Sequence, residues 1–412
     1  MNTLRIKTPL VARLLAALIL VLAVALPERA HAEGPSWTED EAVERALSNP
    51  EIEAVLTAEI EAARAEVDEA TVRPTPSLGV DHEQVFGGSP VAYFQTTAMV
   101  RQEFDFTPWR RHLRETVPHR ESALRAETDQ WRLEVATAVR LAFYQVRYHE
   151  ERIAAFDSWI ARLEHGVEVI RKRGERGDAS GYEVRRIERE LDIATARRAQ
   201  EQVNLAEAWA ALSAWTPWDA QPSLSGALTP SDTMKDEVAT LPRLEQLEQR
   251  ELVLDAELDA WGAPFGRGWT IGAGYRFARQ GGSDGHGFIL SLSMPLTFWN
   301  TDRPRVERLR AERARVESEL ALTRTLAEQA EHGARERLQD TLEALGELPA
   351  AERDGEVSQL AETAFGAGEG TLLELLDAYE SETELRLARI DLQWAARRAA
   401  IDLQRRLGIE AE

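Results

Sequence analysis

Few residues in this 412-residue chain could do chemistry. Cysteine is absent, which excludes disulfides, thiolate metal sites and a lipid-bearing N-terminal cysteine. Past residue 32 the histidines are His82, His112, His119, His149, His165, His286 and His332, and no pair has H-E-x-x-H or comparable metal spacing. Pro118 separates His112 from His119, and both read as surface residues. Gly366-Ala367-Gly368 has no preceding strand to make it a phosphate loop, and no Walker motif occurs. No catalytic constellation emerges, so neither an enzyme nor a cofactor is expected. The remaining candidates are electrostatic. Glu374 and Asp377 stand three apart, on one face of any helix formed there. Acids at that place are also what a solvated helix N-terminus favours through its dipole.

These carboxylates follow a segment that occurs twice. Gly177-Asp178-Ala179-Ser180-Gly181-Tyr182-Glu183 matches Gly368-Glu369-Gly370-Thr371-Leu372-Leu373-Glu374, nearly half the chain later. The same order of elements precedes each copy: a helix, a short strand pair, a break near Trp109 or Trp299, then a long helical run. A spacing this large reads as duplication of a half-molecule rather than a solenoid repeat. Gly177 and Gly368 suit a chain reversal between helices, because glycine tolerates positive φ. Ser180 and Thr371 are placed to cap the helices that follow.

The helical runs are long. Trp37 to Thr71 opens with a cap-like Thr38-Glu39-Asp40-Glu41 and breaks at Asn49-Pro50. Helices are expected from about His119 to Arg173 and from Val306 to Leu345, lengths that imply bundle or coiled-coil packing. The last helix shows two apolar stripes. One is Leu373, Leu376, Thr383, Leu387, Ile390 and Trp394; the other is Leu385, Leu392, Ala399 and Leu403. Two stripes mean neighbours on two sides, as in a ring of helices or the middle of a bundle.

Strand patterns are sparser. From Phe288 to Phe298 apolar residues alternate with mainly polar ones over the length of a lipid-facing barrel strand. Trp269 to Ala278 is its expected partner, with the polar, glycine-rich stretch Arg279–Gly287, His286 included, as an external turn. In the first half Ala98, Val100, Phe104 and Phe106 share a face interrupted by Gln102, and Ser77 to Gln84 is the expected partner. Trp109 and Trp299 follow the second strand of each pair, where a membrane-interface aromatic girdle would lie. Four strands cannot close a barrel, and open edges are not tolerated in lipid. Either several chains share one barrel, or the strands form a soluble sheet in a periplasmic coiled-coil scaffold or adaptor.

The N-terminus reads as a secretion signal: Arg5, Lys7 and Arg13, an apolar Leu14 to Leu26, and the small-x-small Ala30-His31-Ala32. No other stretch is long and apolar enough for a membrane-spanning helix, which argues against a helical transporter but not against a β-barrel. The net charge of −22 argues against nucleic acid as a partner and fits either solubility or a duct for cations.

The doubled plan and three segments resemble the outer-membrane efflux protein family, the TolC-like channels. Those segments are Trp37 to Glu51, Ser293 to Phe298, and Gly366 to Ala378. Val100 to Phe106 with Arg110-Arg111, and Pro295 to Arg303, resemble the CzcC-like heavy-metal efflux branch. The resemblance implies a mainly α fold with a small β part: long antiparallel helical hairpins forming an α-barrel, and four strands given to a shared twelve-stranded outer-membrane barrel in a homotrimer. The expected parts are a signal peptide at 1–32, a first repeat at 33–216, an equatorial linker at 217–240 and a second repeat at 241–412.

The resemblance further implies an outer-membrane location reaching into the periplasm, a periplasmic adaptor and an inner-membrane pump of the RND type. Gly177, Ser180, Gly368 and Thr371 would form the tip turns that meet the adaptor. Glu374 and Asp377 would line the periplasmic constriction, where a ring of carboxylates attracts cations. Glu183 aligns with a carboxylate that latches the closed entrance through a Tyr and an Arg of the other repeat. Those positions read Phe365 and Gly370 here, so the latch is either absent or rebuilt, with Arg185 or Arg186 as candidates.

Overall fold

The computed structural model describes residues 36–48, 50–87, 92–218, 220–230, 241–262, 267–296, 302–349 and 354–408. The expected signal peptide, Trp299 and the end of the 288–298 strand pattern lie outside the described residues.

The chain enters through β1 (Ser36–Trp37) and α1 (Glu39–Leu47). Thr38 makes the expected cap: its hydroxyl accepts from the Glu41 amide at 3.3 Å, while the Glu41 carboxylate accepts from the Thr38 amide at 2.8 Å. Ala42, Val43 and Ala46 form the buried face of α1. The helix stops before Pro50, which opens α2 (Pro50–Thr71), as a proline favours a helix start and disfavours a helical residue before it.

Two strands, β2 (Ser77–Val85) and β3 (Tyr93–Phe104), lead into α3 (Trp109–Arg176). This helix has 68 residues and starts ten residues earlier than expected, with Pro118 inside it. A proline interrupts the backbone ladder and marks a boundary in isolation. Here neighbours on both sides hold the helix together: Arg114 bonds Thr71, Arg120 pairs with Glu66 and Glu257, and His119 bonds Gln249. At 1.5 Å per residue the rod is about 100 Å long. It turns back into α4 (Gly181–Trp215).

After β4 (Ser223–Leu224), which pairs parallel with β1, the second half repeats the plan. It comprises α5 (Pro242–Gly262), β5 (Trp269–Gln280), β6 (Ser283–Ser293), α6 (Arg303–Glu347), α7 (Glu356–Ala367) and α8 (Leu372–Leu407). The 217–230 part of the linker lies against α8, where Arg397 donates to the carbonyls of Ala227, Leu228 and Thr229.

A rod of this length cannot fold around one core. Buried side chains instead form separate clusters along the axis. The largest sits mid-length, around Phe143, Tyr144, Leu212 and Ile401. Another, around Trp159, Leu163, Ile187 and Tyr379, lies towards the helical turns. Nearer the sheet, Leu247 and Leu254 of α5 meet Leu309 and Val316 of α6. Along α3 the buried positions Leu133, Ala136, Val139, Phe143 and Val146 recur at three and four residues, the stripe of a helix packed on its neighbours. Arg140 is buried in this stripe and is paired with Glu39 at 3.0 Å, an acid that also accepts from the Tyr144 hydroxyl at 2.7 Å. On α8 the burial corrects the first expected stripe. Leu376, Thr383 and Ile390 are buried, but Leu373 is 69% exposed.

The four longer strands make a single antiparallel sheet in the order β2-β3-β5-β6. The two halves are joined within it by β3 and β5, which pair from Tyr93↔Gln280 to Phe104↔Trp269. The expected loop 279–287 is a correction. Only Gly281 and Gly282 make the turn, both with positive φ (57° and 84°), and strand pairing resumes at Ser283. His286 therefore lies on a strand opposite Phe277, not in a loop. The outer half of β6 lacks apolar alternation, so its pattern looked like a loop; the turn chemistry and the partner strand decide its structure. At the other end β6 stops at Ser293, short of the expected Phe298.

Gly274 holds the joint between the halves. A Cβ there would sit 2.5 Å from the Ala98 carbonyl oxygen and 3.0 Å from Met99 Cα, atoms of backbone that cannot move without splitting the pair. Gly285, with its nearest neighbour at 3.7 Å, has ordinary room. Gly274→Val is therefore expected to split the β3–β5 pairing and Gly285→Ala to leave the sheet intact, as read by the β signal in circular dichroism.

Candidate membrane sheet and helical entrance

The sheet presents two chemically different faces. On one, cross-strand rows run Leu78–Val100–Ala273–Leu290 and Val80–Ala98–Tyr275–Phe288. These rows face outward, uncovered by any of the described residues: Phe288 is 90% exposed, Leu290 84% and Leu78 71%. On the other face Arg101 lies near Asp81 at 3.5 Å, and Arg276 donates to the Thr97 hydroxyl at 3.4 Å. Gly79 and Gly272 leave room there for the Arg101 side chain to lie flat on the sheet. One apolar and one polar face is the alternation of a membrane barrel strand.

Aromatic residues border the apolar rows at both ends. Towards the helices Phe106 stands edge-on to Trp269 at 5.6 Å, with Phe104 paired opposite Trp269. At the far end Phe94, Phe277, His82 and His286 cluster, and the Tyr275 hydroxyl meets His286. Trp269 and Phe277 are eight positions apart on β5, about 26 Å along the strand. Sequence reasoning missed these belts, because their members are scattered over four strands and meet only through the register. Trp109, the expected girdle residue, begins α3 and is half-buried against Trp261 at 5.6 Å, with the Arg110 guanidinium 4.6 Å from its ring.

No described helix is long and apolar enough to cross a membrane, which says nothing of a β-barrel. Among the described residues no group of three or more His, Asp or Glu could hold a metal ion.

At the opposite end the two glycine turns are built alike. Gly177 and Gly368 each close their helix with φ of 83°. The next amide returns to the helix in both: Asp178 to the Arg173 carbonyl and Glu369 to the Ala364 carbonyl, each at 2.9 Å. Ser180 and Thr371 then start the next helix. Glu183 Oε2 accepts from the Ser180 amide at 2.7 Å and its hydroxyl at 2.8 Å; Glu374 Oε2 accepts from the Thr371 amide at 2.7 Å and its hydroxyl at 2.9 Å. Hydrogen bonds from the cap amides, then from the hydroxyls, hold both carboxyls below the usual carboxylate range. Asp377 is exposed one turn beyond Glu374.

Glu183 is thus committed to its own cap. The candidate latch arginines are committed as well, Arg185 to Glu188 at 3.3 Å and Arg186 to Glu190. Neither reaches the other repeat, which corrects that expectation. The residue that does is Arg173. Its Nη2 donates to the Phe365 carbonyl at 2.6 Å and the Gly366 carbonyl at 3.3 Å, and its guanidinium lies 4.3 Å from the Phe365 ring centre. Phe365 needs no hydroxyl in this arrangement, because the ring face and the carbonyls of a helix end are what the cation uses. Nothing in the local spacing marks Arg173; its partners are almost half the chain away.

Further straps tie α3 to the second half above the turns. Arg162 bonds Ser358 and Glu382, each at 2.6 Å. Arg152 joins Glu201 at 3.0 Å and Asp391 at 2.6 Å, and His149 bonds the same Glu201 at 2.9 Å. The Tyr148 hydroxyl donates to Asp391 at 2.8 Å; burial, then that bond, pushes its pKa up to about 12.

Comparison with known proteins fits this geometry. Residues 43–216 match the family model of the outer membrane efflux protein. The outer-membrane channel OprN is similar in structure, with a TM-score of 0.70 and 18% identity over 90% of each chain. A membrane protein from Pseudomonas aeruginosa gives 0.67 and 19%, covering 90% of this chain and 93% of that one. The open state of the MtrE outer membrane channel of Neisseria gonorrhoeae gives 0.65 and 18%, covering 90% and 88%. The fold is that of an outer-membrane channel subunit. No curated protein sequence matches the chain.

Two outcomes test the entrance. Arg173→Ala is expected to cost about 1–2 kcal/mol locally, the loss of charged hydrogen bonds at a half-exposed site; amide exchange at residues 366–371 should rise while exchange at the mid-length cluster stays unchanged. The two caps are also pH-dependent. A carboxyl whose folded pKa is depressed contributes stability above its unfolded value and loses it as pH falls through the folded one. The amides of Glu183 and Glu374 should therefore lose protection, measured against the intrinsic exchange rate at each pH, as pH falls, and Glu374→Gln should remove that loss at its own turn only.

Proposed function

We propose that this chain is the outer-membrane duct of a three-part efflux system, a passive channel that performs no covalent chemistry. One observation supports this reading above the others: a four-stranded sheet with a bare apolar face, aromatic belts at both ends and two unpaired edges. Such a sheet is unstable in lipid until its edges are closed. Three copies would give the twelve strands of one barrel, and the helices, about 100 Å long, would continue its bore into the periplasm.

In that assembly the turns at Gly177, Ser180, Gly368 and Thr371 would face the periplasm and meet an adaptor serving an inner-membrane pump of the RND type. Glu374 and Asp377 would ring the entrance. The cargo would be small solutes, with metal cations favoured by those carboxylates and by the resemblance of Val100–Phe106 to the heavy-metal branch.

The purified oligomer in a planar bilayer should conduct and should prefer potassium over chloride. Glu374→Gln combined with Asp377→Asn should reduce that preference several-fold while conductance persists. A protein that stays soluble without detergent and never conducts would overturn the reading.

A further inference from the structure

Where the sheet meets the helices, a cavity of about 790 Å³ opens between the end of α2, the first turns of α3 and the near end of β3. Arg73, Arg110, Arg111 and Arg114 line it, and Glu103 and Asp105 are the acids of its wall. Arg110 belongs to the frame. It donates to Asp105 at 2.8 Å and to the carbonyls of Thr71 and Val72. Asp105 is committed as well, since it also accepts from the Gly268 amide at 2.9 Å.

The other three arginines are not held by the wall. Arg73 is exposed and has no hydrogen bond or ion pair among the described residues. Arg114 donates to the Thr71 hydroxyl at 3.2 Å and has no carboxylate partner there. Arg111 pairs with Glu115 one turn on, at 3.0 Å, with its side chain 79% exposed, and such a surface pair is weak. Within the cavity these three cations face one uncommitted acid, Glu103.

We propose that this cavity takes the headgroup of an anionic glycerophospholipid from the leaflet on the helical side. Arg73, Arg111 and Arg114 would hold its phosphate, and its acyl chains would lie on the apolar rows of the sheet. The proposal rests on the channel reading above, because a lipid reaches the cavity only if the sheet stands in a membrane.

The charge fits an anion. A guanidinium presents a planar fork of donors that matches a phosphate, and basic pockets at a membrane surface take anionic headgroups. The cations are also placed where the fold alone disfavours them. Arg110 and Arg111 occupy the first turn of α3, a positive helix end with no acid and no side-chain cap. Helix α6 leaves the sheet in the same way, opening on Arg303 and Arg305 without an acid in its first turn. At the far end of the molecule α4 and α8 open on Glu183 and Glu374 instead. An anionic layer at the height of the sheet-side helix starts would relieve the repulsion there.

The surroundings fit a ligand with an apolar tail rather than a free ion. Gln102 and Phe104 belong both to the wall of the cavity and to the apolar face of the sheet, where they stand opposite Ile271 and Trp269. The exposed row Leu78–Val100 begins two residues further along β3, about 7 Å away. Phe104 and Phe106 are exposed beside it. One amphiphile can therefore touch the arginines with its headgroup and the bare rows with its chains.

Native mass spectrometry of the detergent-solubilised protein, titrated with phosphatidylglycerol or phosphatidylcholine, reads the headgroup preference. Phosphatidylglycerol should bind more tightly by about fivefold for each arginine that engages the phosphate. Arg73→Gln with Arg114→Gln should bring the two lipids to parity. Arg73→Lys with Arg114→Lys should keep part of the preference, and Arg185→Gln with Arg189→Gln, the same charge change at the distant turns, should keep all of it. Circular dichroism checks that each variant retains its sheet. A parent protein that inserts into bilayers and conducts but has no headgroup preference, or one whose preference survives the double glutamine change, would overturn the site and leave the channel reading in place. Loss of the preference in millimolar inorganic phosphate would overturn the lipid as occupant and leave a bare anion site. A protein soluble without detergent that binds neither lipid would overturn both readings.

Discussion

Everything in this molecule follows from one requirement: backbone groups at a sheet edge cannot be left open in lipid. The chain brings four strands to one sheet, too few to close on themselves. Its apolar rows, aromatic belts and polar inner face are all built for a membrane, yet none of them is stable there alone. On the proposed reading completion comes from other copies, at the edge strands β2 and β6.

The helical part answers a different problem. A rod of 68 residues gains little from a single core, so stability is distributed in clusters, and polar straps between them fix rotation as well as distance. Arg140–Glu39, the Arg152–Glu201–His149–Asp391 group and Arg162–Glu382 each join α3 to another helix. Buried or half-buried charges of this kind are strongly directional and costly to break. They favour one relative setting of long helices that could otherwise slide past each other by a turn.

The two turns at the far end show how duplication shapes function. Their caps agree almost atom for atom, which is why the carboxylates Glu183 and Glu374 are held in the same local way. Their surroundings differ. Arg173 crosses from the first turn region to the carbonyls of the second, and among the described residues no equivalent cation returns. A single asymmetric contact therefore ties the two hairpins at the entrance, and the ring face of Phe365 is part of it.

The sequence alone determined whatever is local. The caps at Thr38, Ser180 and Thr371, the glycine reversals and the break before Pro50 are short-range hydrogen-bond and dihedral choices, and their residues name them. The alternating rows of β5 and part of β6 were legible because one face of the sheet is apolar and bare and the other mainly polar. Tertiary structure decided the rest. It carried α3 through Pro118 by supporting it on both flanks, and it extended β6 through a polar stretch by pairing it with β5. It also merged two strand pairs into one sheet, and made Arg173 rather than Arg185 or Arg186 the link between repeats. For the merged sheet and for Arg173 the deciding partner lies far along the chain, and no local pattern can report a contact whose other half is 150 or more residues away.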